Sequence, residues 1–354
     1  MSDPATETGS GADAASAFFF DTLAVYREQV LRRIRELIPT GRHHRTLYGP
    51  MLDYPLRQGK AFRPAMCLSM CQACGGGLED ALDTAAALEM FHNAFLIHDD
   101  VADSSEFRRG LPTLHSKYGI GIATNVGDAL NMLALRVLIG NTRVLGLERA
   151  LTIIEEISRM AQETTQGQSI ELDWIRNPGR TLTGRDYLQM INGKTCWYTT
   201  IAPMRVGALI ADVHPSRLGG FIPFGYRIGA AFQIQDDVLN LSGGEAYGKE
   251  IAGDIAEGKR TLIIIHALQA VDPATRLRIE AVYRKERVDK TSEDIAFVLD
   301  AIRRVGSIEY AQSVALRLTL SAQRLFERRF GWLRPGPHRR FIEEMIRYMI
   351  DRRL

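Results

Sequence analysis

The sequence has few of the features that mark membrane-spanning, disulfide-stabilised or nucleic-acid-binding proteins. No apolar run reaches the roughly 18 to 20 residues of a membrane span, so we expect no integral membrane association. Only four cysteines occur in 354 residues, which favours a reducing compartment and, by default, the cytoplasm. The formal net charge is only +2, so no overall field attracts nucleic acid, and an anionic substrate must be held by local clusters.

Three of the cysteines, Cys67, Cys71 and Cys74, have the C-x3-C-x2-C spacing that some iron–sulfur enzymes use. Such a cluster needs thiolates that converge from an irregular loop. These three lie in RPAMCLSMCQAC, which has helical apolar periodicity and no glycine before Gly75. On a helix they line one face as small apolar residues, so we expect them to pack in the core rather than to bind a cluster.

Apolar residues recur at helical spacing along almost the whole chain, for example from Ala24 to Leu37. Glycine and proline interrupt this pattern, and we find neither strand-length alternation nor a repeat of roughly 20 to 50 residues. The first residues are small and polar, without the apolar stretch of a signal peptide or the arginine bias of a transit peptide. We therefore predict a disordered leader over residues 1–17 and a single all-α domain over residues 18–354.

Two acidic clusters each follow an apolar helix. In HDDVADSSEFRRG, Asp99 and Asp103 are four residues apart and share one helix face, with Asp100 beside them. In FQIQDDVLNLSGG the same pattern contains Asp236, Asp237 and Asn240. Grouped carboxylates repel each other unless a cation joins them, and magnesium prefers carboxylate and phosphate oxygens. One cluster alone would fit a solvated helix end, whereas two favour facing helices around a metal-filled cavity.

Basic residues lie near both clusters or in glycine-containing segments elsewhere in the chain. They are Lys60, Arg63, Arg108, Arg109, Lys194, Lys249 and Lys259. Arginine forks bind diphosphate oxygens bidentately and lysine supplies a mobile point charge, although an isolated lysine is usually an ordinary surface cation. Acids and bases together predict a site for two diphosphates, one bridged by metal and the other held by basic residues alone.

These motifs, in this order, resemble the trans-isoprenyl diphosphate synthases, the family of farnesyl and geranylgeranyl diphosphate synthases. The matching strings are GKAFRP, ALEMFHNAFLIHDDVADSSEFRRGLPTLH, GDAL, GQ, KT, FQIQDDVLN and GKEIAGDIAEGKRT. The resemblance implies an all-α bundle of the isoprenoid synthase type with a deep central cavity, assembled as a homodimer. It also implies a prenyltransferase of isoprenoid biosynthesis that condenses isopentenyl diphosphate head-to-tail with an allylic diphosphate, using magnesium.

The resemblance further assigns roles to individual residues. It implies three magnesium ions per active site, held by Asp99, Asp103 and Asp236, with Asp100 and Asp237 in the same catalytic set. The residues implied to contact the allylic diphosphate are Arg108, Lys194, Thr195, Gln233 and Lys249, with Lys259 as a further substrate-binding cation. Those implied to hold isopentenyl diphosphate are Gly59, Lys60, Arg63, His92 and Arg109, over which the terminal pair Arg352 and Arg353 would close.

Asn240 departs from the family pattern, because many members carry a third aspartate at this position. An amide oxygen can still coordinate a metal or orient a metal-bound water, but it brings no charge. We therefore expect activity to be retained, with weaker binding of one metal. His98, directly before the first acids, is expected to be structural.

Product length depends on the floor of an apolar tunnel below the first acidic cluster. Phe95 and Ala94 lie four and five residues before Asp99, one helical turn deeper. In the resembling family a bulky aromatic at the fifth position stops growth at 15 carbons, and the small Ala94 is similar to synthases that release the 20-carbon geranylgeranyl diphosphate. A floor set by other helices, such as the one with Met132 and Leu133, would instead allow farnesyl or longer products.

Two other readings remain. A class I terpene cyclase would share the first acidic motif, but it has no use for an isopentenyl diphosphate site, and DDVLNLSGG does not match its usual second motif. A non-catalytic subunit of a synthase would usually lose one or both acidic motifs, and this chain keeps both. The preferred allylic starter and the pathway that uses the product are left open by the sequence.

Overall fold

A computed structural model describes the backbone of residues 7–57, 59–242 and 252–351, and the side chains of residues 15–57, 59–242 and 252–348. Within these ranges the chain is almost entirely helical, which confirms the predicted all-α class. The α-helices are α1 (Glu7–Leu37), α2 (Gly49–Leu56), α3 (Phe62–Cys74), α4 (Leu78–Ala102), α5 (Leu114–Tyr118), α6 (Ile120–Gly140), α7 (Thr142–Leu145), α8 (Leu147–Arg176), α9 (Gly184–Ile191), α10 (Ala202–Ile210), α11 (Pro215–Leu218), α12 (Phe221–Ser242), α13 (Gly253–Glu257), α14 (Leu262–Ala270), α15 (Pro273–Tyr283), α16 (Ser292–Arg304), α17 (Ser307–Arg329) and α18 (Pro337–Asp351).

Three further helical segments and one hairpin complete the described structure. Two segments have π-helical hydrogen bonding, His44–Tyr48 and Asn192–Ile201, and Arg287–Asp289 forms a 3₁₀ turn. Strands β1 (Phe107–Arg108) and β2 (Leu111–Pro112) pair as an antiparallel hairpin. The sequence did not indicate this hairpin, because two-residue strands are too short to show alternation.

Buried apolar side chains form two clusters that share α12. Phe221 and Phe224 of α12 belong to the cluster built with α1, α3, α4, α6 and α10. Ile234 and Val238, farther along α12, belong to the cluster built with α9, α14, α16 and α17. Because α12 is buried on several sides, its sequence is apolar nearly throughout, and its acids come only near its end.

The first helix begins at Glu7, well inside the segment predicted as a leader. Among its side chains from residue 15 onward, the first buried one is Phe19, whose ring stacks on Phe341 of α18 at a centroid distance of 5.1 Å. The division between a leader over 1–17 and a domain over 18–354 therefore stays a prediction, although helical backbone extends across it.

The cysteines of α3 pack in or against the hydrophobic core, as expected from their helical spacing. Cys67 and Cys71 are buried and Cys74 is half-buried. Burial raises the pKa of Cys71 and of Cys74 to about 12, so these thiols stay protonated at neutral pH. Protonated thiols in an apolar environment behave as small hydrophobic residues.

One stretch, Ile120–Leu145, is long and apolar enough to cross a membrane when length and composition alone are considered. The expectation that no apolar run reaches this length was therefore wrong. Core helices of globular proteins pass the same test, and α6, which forms most of this stretch, packs along α4. Its other face carries exposed apolar side chains, such as Met132 and Ile139.

Candidate active site

A cavity of about 520 Å³ lies between α3, α4, α8, α12, the hairpin and the π-helix Asn192–Ile201. Most of the predicted site residues line it: Gly59, Lys60, Arg63, His92, Asp99, Arg108, Arg109, Lys194, Thr195, Gln233, Asp236, Asp237 and Lys259. A larger, open depression of about 820 Å³ between α9, α12, α14 and α17 contains none of them. The smaller cavity is therefore the candidate site, because it collects the charged groups.

Lysines from the second half of the chain bind the acids at the end of α4. Lys194 lies with its Nζ 3.6 Å from Asp99 Oδ1, which also accepts a hydrogen bond of 3.1 Å from Gln168. Lys259 donates to Asp103 at 2.7 Å. Burial, together with nearby carboxylates, raises the pKa of Asp103 to about 7. Residues from the two halves of the chain therefore contact each other at these acids, as the sequence predicts.

Asp100, the second acid of the first pair, does not line the cavity. It is fully buried, accepts a hydrogen bond of 2.5 Å from Tyr54, and forms an ion pair with Arg108. Arg108 Nε donates to Asp100 Oδ1 at 2.9 Å. Asp100 therefore orients a cavity arginine, a task for which a carboxylate that accepts from a guanidinium fork is well suited.

The second acidic pair, on α12, divides in a similar way. Asp236 and Asp237 both border the cavity. Asp237, however, accepts hydrogen bonds from Tyr187 at 2.6 Å and from Gln233 at 2.8 Å. Burial raises the pKa of Asp237 well above its usual value, and the charge of Asp254 raises it further. Its oxygens are thus occupied by neighbours, which makes Asp237 a residue that orders the site.

Asn240 has a different task from the one expected for it. Its Oδ1 accepts a hydrogen bond of 3.2 Å from the backbone N–H of Asp254, and its carbonyl accepts one of 2.8 Å from Ala252. Asp254 borders the cavity, so Asn240 anchors the segment that brings a further acid to the site. An amide oxygen accepts from an N–H as well as a carboxylate does, which explains why asparagine serves here.

The hairpin presents two arginines from adjacent positions. Arg109 and Gly110 form its two-residue turn with φ values of 54° and 73°, the left-handed pair that such hairpins require. This backbone turns the Arg109 guanidinium back onto the carbonyls of Arg57, at 3.0 Å, and Tyr54, at 3.4 Å. A Cβ on Gly59 would lie 2.7 Å from that guanidinium, so a side chain at this position would displace Arg109 from its present place.

The other predicted residues of the second diphosphate site surround Arg63. Its guanidinium lies 3.2 Å from His92 Nε2, donates to Thr199 at 2.9 Å, and sits 4.3 Å above the ring of Tyr198. Burial and three nearby arginines lower the pKa of His92 well below its usual value, so the ring is neutral. Lys60 donates to the Tyr348 hydroxyl of α18 at 2.9 Å.

Lys194 and Thr195 lie in the π-helix, which crosses α8 at close range. A Cβ on Gly167 of α8 would overlap the backbone of Gly193 and Lys194, and a Cβ on Gly193 would lie 2.8 Å from the carbonyl of Glu163. The two glycines therefore let the backbones touch. Thr195 donates to Gln233 of α12 at 2.9 Å, so the π-helix is tied to both neighbouring helices.

Several cavity residues were missed by the sequence analysis. They are Glu89, Glu171, Tyr187, Tyr198 and Asp254. Spacing was a usable signal for some of them, since residues three or four apart share a helix face. Glu89 precedes His92 by three residues, Glu171 follows Gln168 by three, and Tyr198 follows Lys194 by four.

Besides Asp100, four predicted site residues are not among the residues that line the cavity: Asp103, which accepts a hydrogen bond from the cavity residue Lys259, and Ala94, Phe95 and Lys249. Ala94 is fully buried in α4. Phe95 packs edge-on against Tyr198, at a centroid distance of 5.8 Å, and so lies one side chain behind the cavity wall. Their role in setting product length stays a prediction. Lys249, like Arg352 and Arg353, lies outside the described residues.

The chain is similar to known prenyl synthases over most of its length. The family model described as polyprenyl synthetase matches residues 45–302. A short chain isoprenyl diphosphate synthase of Methanothermobacter thermautotrophicus is 32% identical over 297 residues, which cover 84% of this chain and 88% of that protein.

Solved structures of such synthases have the same fold. A geranylgeranyl pyrophosphate synthetase from Pyrococcus horikoshii superposes with a TM-score of 0.82 at 30% identity, covering 94% of this chain and 99% of that one. A geranylgeranyl pyrophosphate synthase from Corynebacterium glutamicum, complexed with isoprenyl diphosphate and magnesium, superposes with a TM-score of 0.83 at 26% identity, covering 95% and 99% of the two chains.

The close contact at Gly167 gives a testable prediction. Gly167→Ala forces α8 and the π-helix apart, and we expect it to lower the free energy of unfolding by roughly 1–3 kcal/mol, the usual cost of overpacking. Denaturant titration of both proteins measures the difference. Gly179→Ala is the matched control, because a Cβ there meets nothing within 4 Å, and it should change stability little. Equal effects of the two substitutions would contradict the close crossing.

Proposed function

This chain belongs to the polyprenyl synthetase family, and we propose that it is a prenyltransferase that condenses isopentenyl diphosphate with an allylic diphosphate, head to tail, to give a linear trans-prenyl diphosphate. The observation that carries the proposal is a single cavity that is lined by acids from both acidic clusters and by two sets of cations. An enzyme that joins two diphosphate substrates needs such a division.

The acids fit a divalent metal that is shared with a substrate. Among the described residues no group of three or more histidines, cysteines, aspartates and glutamates could hold a metal by itself. Magnesium is commonly bound by one or two carboxylates together with substrate phosphates, so this arrangement suits it. We propose that Asp99, Asp103 and Asp236 bind three magnesium ions per site together with the allylic diphosphate, whose departure the bound metal favours by neutralising its charge.

Cationic side chains of this chain would hold the same diphosphate. Arg108 is already oriented by Asp100, and Lys194 by Asp99 and Glu171. These groups lie at fixed positions around the developing charge, so they stabilise the leaving diphosphate without reorganising. We also assign Thr195, Gln233, Lys249 and Lys259 to this substrate. Thr195 and Gln233 both line the cavity and are joined by a hydrogen bond.

The second substrate would bind at the other end of the cavity. Lys60, Arg63, Arg109 and the neutral His92 offer donors there without a metal, and Gly59 leaves the space that Arg109 occupies. The double bond of isopentenyl diphosphate can then attack the allylic carbon, after which a proton is lost. No side chain has to act as a nucleophile. Apolar wall residues such as Leu96 and Phe232 help to exclude the water that would quench a carbocation.

We further propose a 20-carbon product and a homodimer that works in the cytoplasm. The small side chain of Ala94 supports the 20-carbon length. Exposed apolar residues on α6, α7 and α8 support the dimer, because large apolar patches mark association sites. They are Ile120, Ile122, Met132, Leu135, Ile139, Val144, Leu147 and Leu151. Four free cysteines support a reducing compartment.

A product assay tests both the reaction and the chain length. Purified protein is incubated with magnesium, labelled isopentenyl diphosphate and, separately, dimethylallyl, geranyl or farnesyl diphosphate, and the products are separated by length. We expect a linear 20-carbon diphosphate, shortened to 15 carbons in Ala94→Phe because the larger ring would block the tunnel. Shortening in Leu133→Phe but not in Ala94→Phe would place the floor on α6. Diphosphate release from the allylic substrate without condensation would indicate a cyclase.

Asp99, a proposed metal ligand, and Asn240, which binds the backbone of Asp254, should differ in their effect on activity when each is replaced. We expect Asp99→Ala to lower kcat by on the order of a hundredfold or more, the effect of removing a group that stabilises transition-state charge. Asn240→Ala should lower it much less, because Asn240 acts through the backbone of Asp254. Magnesium titrations of kcat measure both. Asp300→Ala, at a carboxylate 66% exposed, is the control; equal losses in the two site variants would contradict the ranking.

The oligomer prediction concerns the exposed face of α6. Size-exclusion chromatography with light scattering should give about twice the chain mass of 39.6 kDa for the wild type. The pair Met132→Asp and Ile139→Asp should give a monomer, because buried unpaired charges are costly at an interface. Leu277→Asp on α15, a residue 65% exposed, should remain dimeric. A monomeric wild type would rule out the dimer.

A further inference from the structure

A carboxylate lies at the end of the cavity that is proposed to bind an anion with cations alone. Glu89 borders the cavity beside Arg63, His92 and Arg109. The other cavity carboxylates are Asp99, Glu171, Asp236, Asp237 and Asp254, which lie at the ends of α4 and α12, on α8, and at α13. A negative charge next to a diphosphate site opposes binding of the ligand, so the presence of Glu89 requires another reason.

Glu89 is held in place by its own helix. Only 3% of its surface is exposed, and it lies one turn of α4 before His92, on the same face. Asn93 Nδ2 donates to the Glu89 carbonyl at 2.7 Å and to Glu89 Oε1 at 3.3 Å. Oε2, by contrast, has no hydrogen-bond partner. A buried carboxylate oxygen without a partner is costly unless nearby positive charge compensates for it.

Unpaired polar atoms are concentrated around Glu89. Of the six buried side-chain atoms without a partner in the described residues, four belong to Arg63, Glu89, His92 and Asn93. Buried polar groups in native proteins are nearly always paired, so a local excess of unpaired ones calls for an explanation such as a catalytic role or a bound water or ion. At this corner of the cavity, these four side chains therefore have unpaired donors and acceptors that are available to a bound ligand.

The arginines around this corner differ in whether they have an acidic partner. Arg57 pairs with Asp53 at 2.6 Å, and Arg108 pairs with Asp100. Within the described part of the chain, Arg63 and Arg109 have no acid within ion-pair distance. The groups they bind are the ring of His92, the hydroxyl of Thr199 and two backbone carbonyls.

Glu89 is the acid whose charge acts on this remaining pair. Burial lowers the pKa of Arg109, and the charge of Glu89 is the largest effect that opposes the lowering. Burial likewise raises the pKa of Glu89, and the charges of Arg63 and Arg109 are the largest effects that oppose the rise. Glu89 therefore favours the charged form of Arg109, and the two arginines favour the charged form of Glu89.

We propose that Glu89 is a positioning residue for isopentenyl diphosphate, whose buried carboxylate holds the guanidinium groups of Arg63 and Arg109 together so that both meet the same diphosphate. The inference rests on the proposed function. Two like charges on long, flexible side chains separate when nothing holds them, and ordering them beforehand lowers the cost of binding. Because Glu89 is almost fully buried, it acts on the ligand through these arginines.

Steady-state kinetics of Glu89→Gln tests the proposal, since this change removes the charge and keeps the size. We expect KM for isopentenyl diphosphate to rise on the order of tenfold, with kcat and KM for the allylic substrate within about twofold of wild type. Glu89→Asp keeps the charge and should raise that KM less than Glu89→Gln does. Adding Arg109→Lys to Glu89→Gln should cost less than the sum of the two separate changes, because both act on the same charge interaction.

Glu156→Gln is the matched control for a purely structural effect. Glu156 is also buried and pairs with Arg205, away from the cavity. This variant should lose thermal stability and keep both KM values. If Glu89→Gln behaves in the same way, Glu89 is structural and the proposal fails; it also fails if KM for isopentenyl diphosphate falls, since the carboxylate then only repels the ligand.

Calorimetric titration of isopentenyl diphosphate into each variant separates this inference from the proposed function. The titration measures the same affinity without turnover. Absence of condensation by the wild type would reject the proposed function, and the titrations would still decide the role of Glu89. Normal condensation with equal affinities in wild type and Glu89→Gln would reject the positioning role alone.

Discussion

The site depends on charge compensation across a buried cavity. Carboxylates at the end of α4 are bound by Lys194 and Lys259, which come from segments about 90 and 160 residues later. Burying any of these carboxylates or lysines without a partner would cost free energy, and the opposite charge beside it offsets part of that cost. The contact joins the two halves of the chain and keeps a strongly charged interior without metal or substrate. The two lysines are therefore already positioned beside the carboxylates that are proposed to bind metal.

Backbone geometry at a few positions makes that compensation possible. The π-helix brings Lys194 against α8 because Gly167 and Gly193 have no side chains. Irregular helical turns of this kind are frequent at functional sites. Ala61 and Arg109, which both line the cavity, have left-handed backbones, with φ of 52° and 54°. Such strain persists where surrounding contacts hold it, and here it directs cations into the cavity.

The two ends of the cavity solve the same problem differently. One end combines several carboxylates with two lysines and suits a diphosphate that arrives with divalent metal. The other combines arginines and a neutral histidine with a single carboxylate, and suits a diphosphate bound directly. This asymmetry supports the proposal that each substrate has its own end of the cavity, with the departing diphosphate at one end and the attacking double bond at the other.

The sequence by itself determined the helical class, both acidic clusters and most of the cations, because each is a local pattern on one face of one helix. It did not determine which neighbours occupy the second acid of each pair: Asp100 is bound by Tyr54 and Asp237 by Tyr187, residues 46 and 50 positions distant. The anchoring task of Asn240 was likewise decided by tertiary structure, which brings the backbone of Asp254 to its side chain. A side chain's role depends on the charges and donors that the fold brings to it, and no spacing along a single helix records those partners.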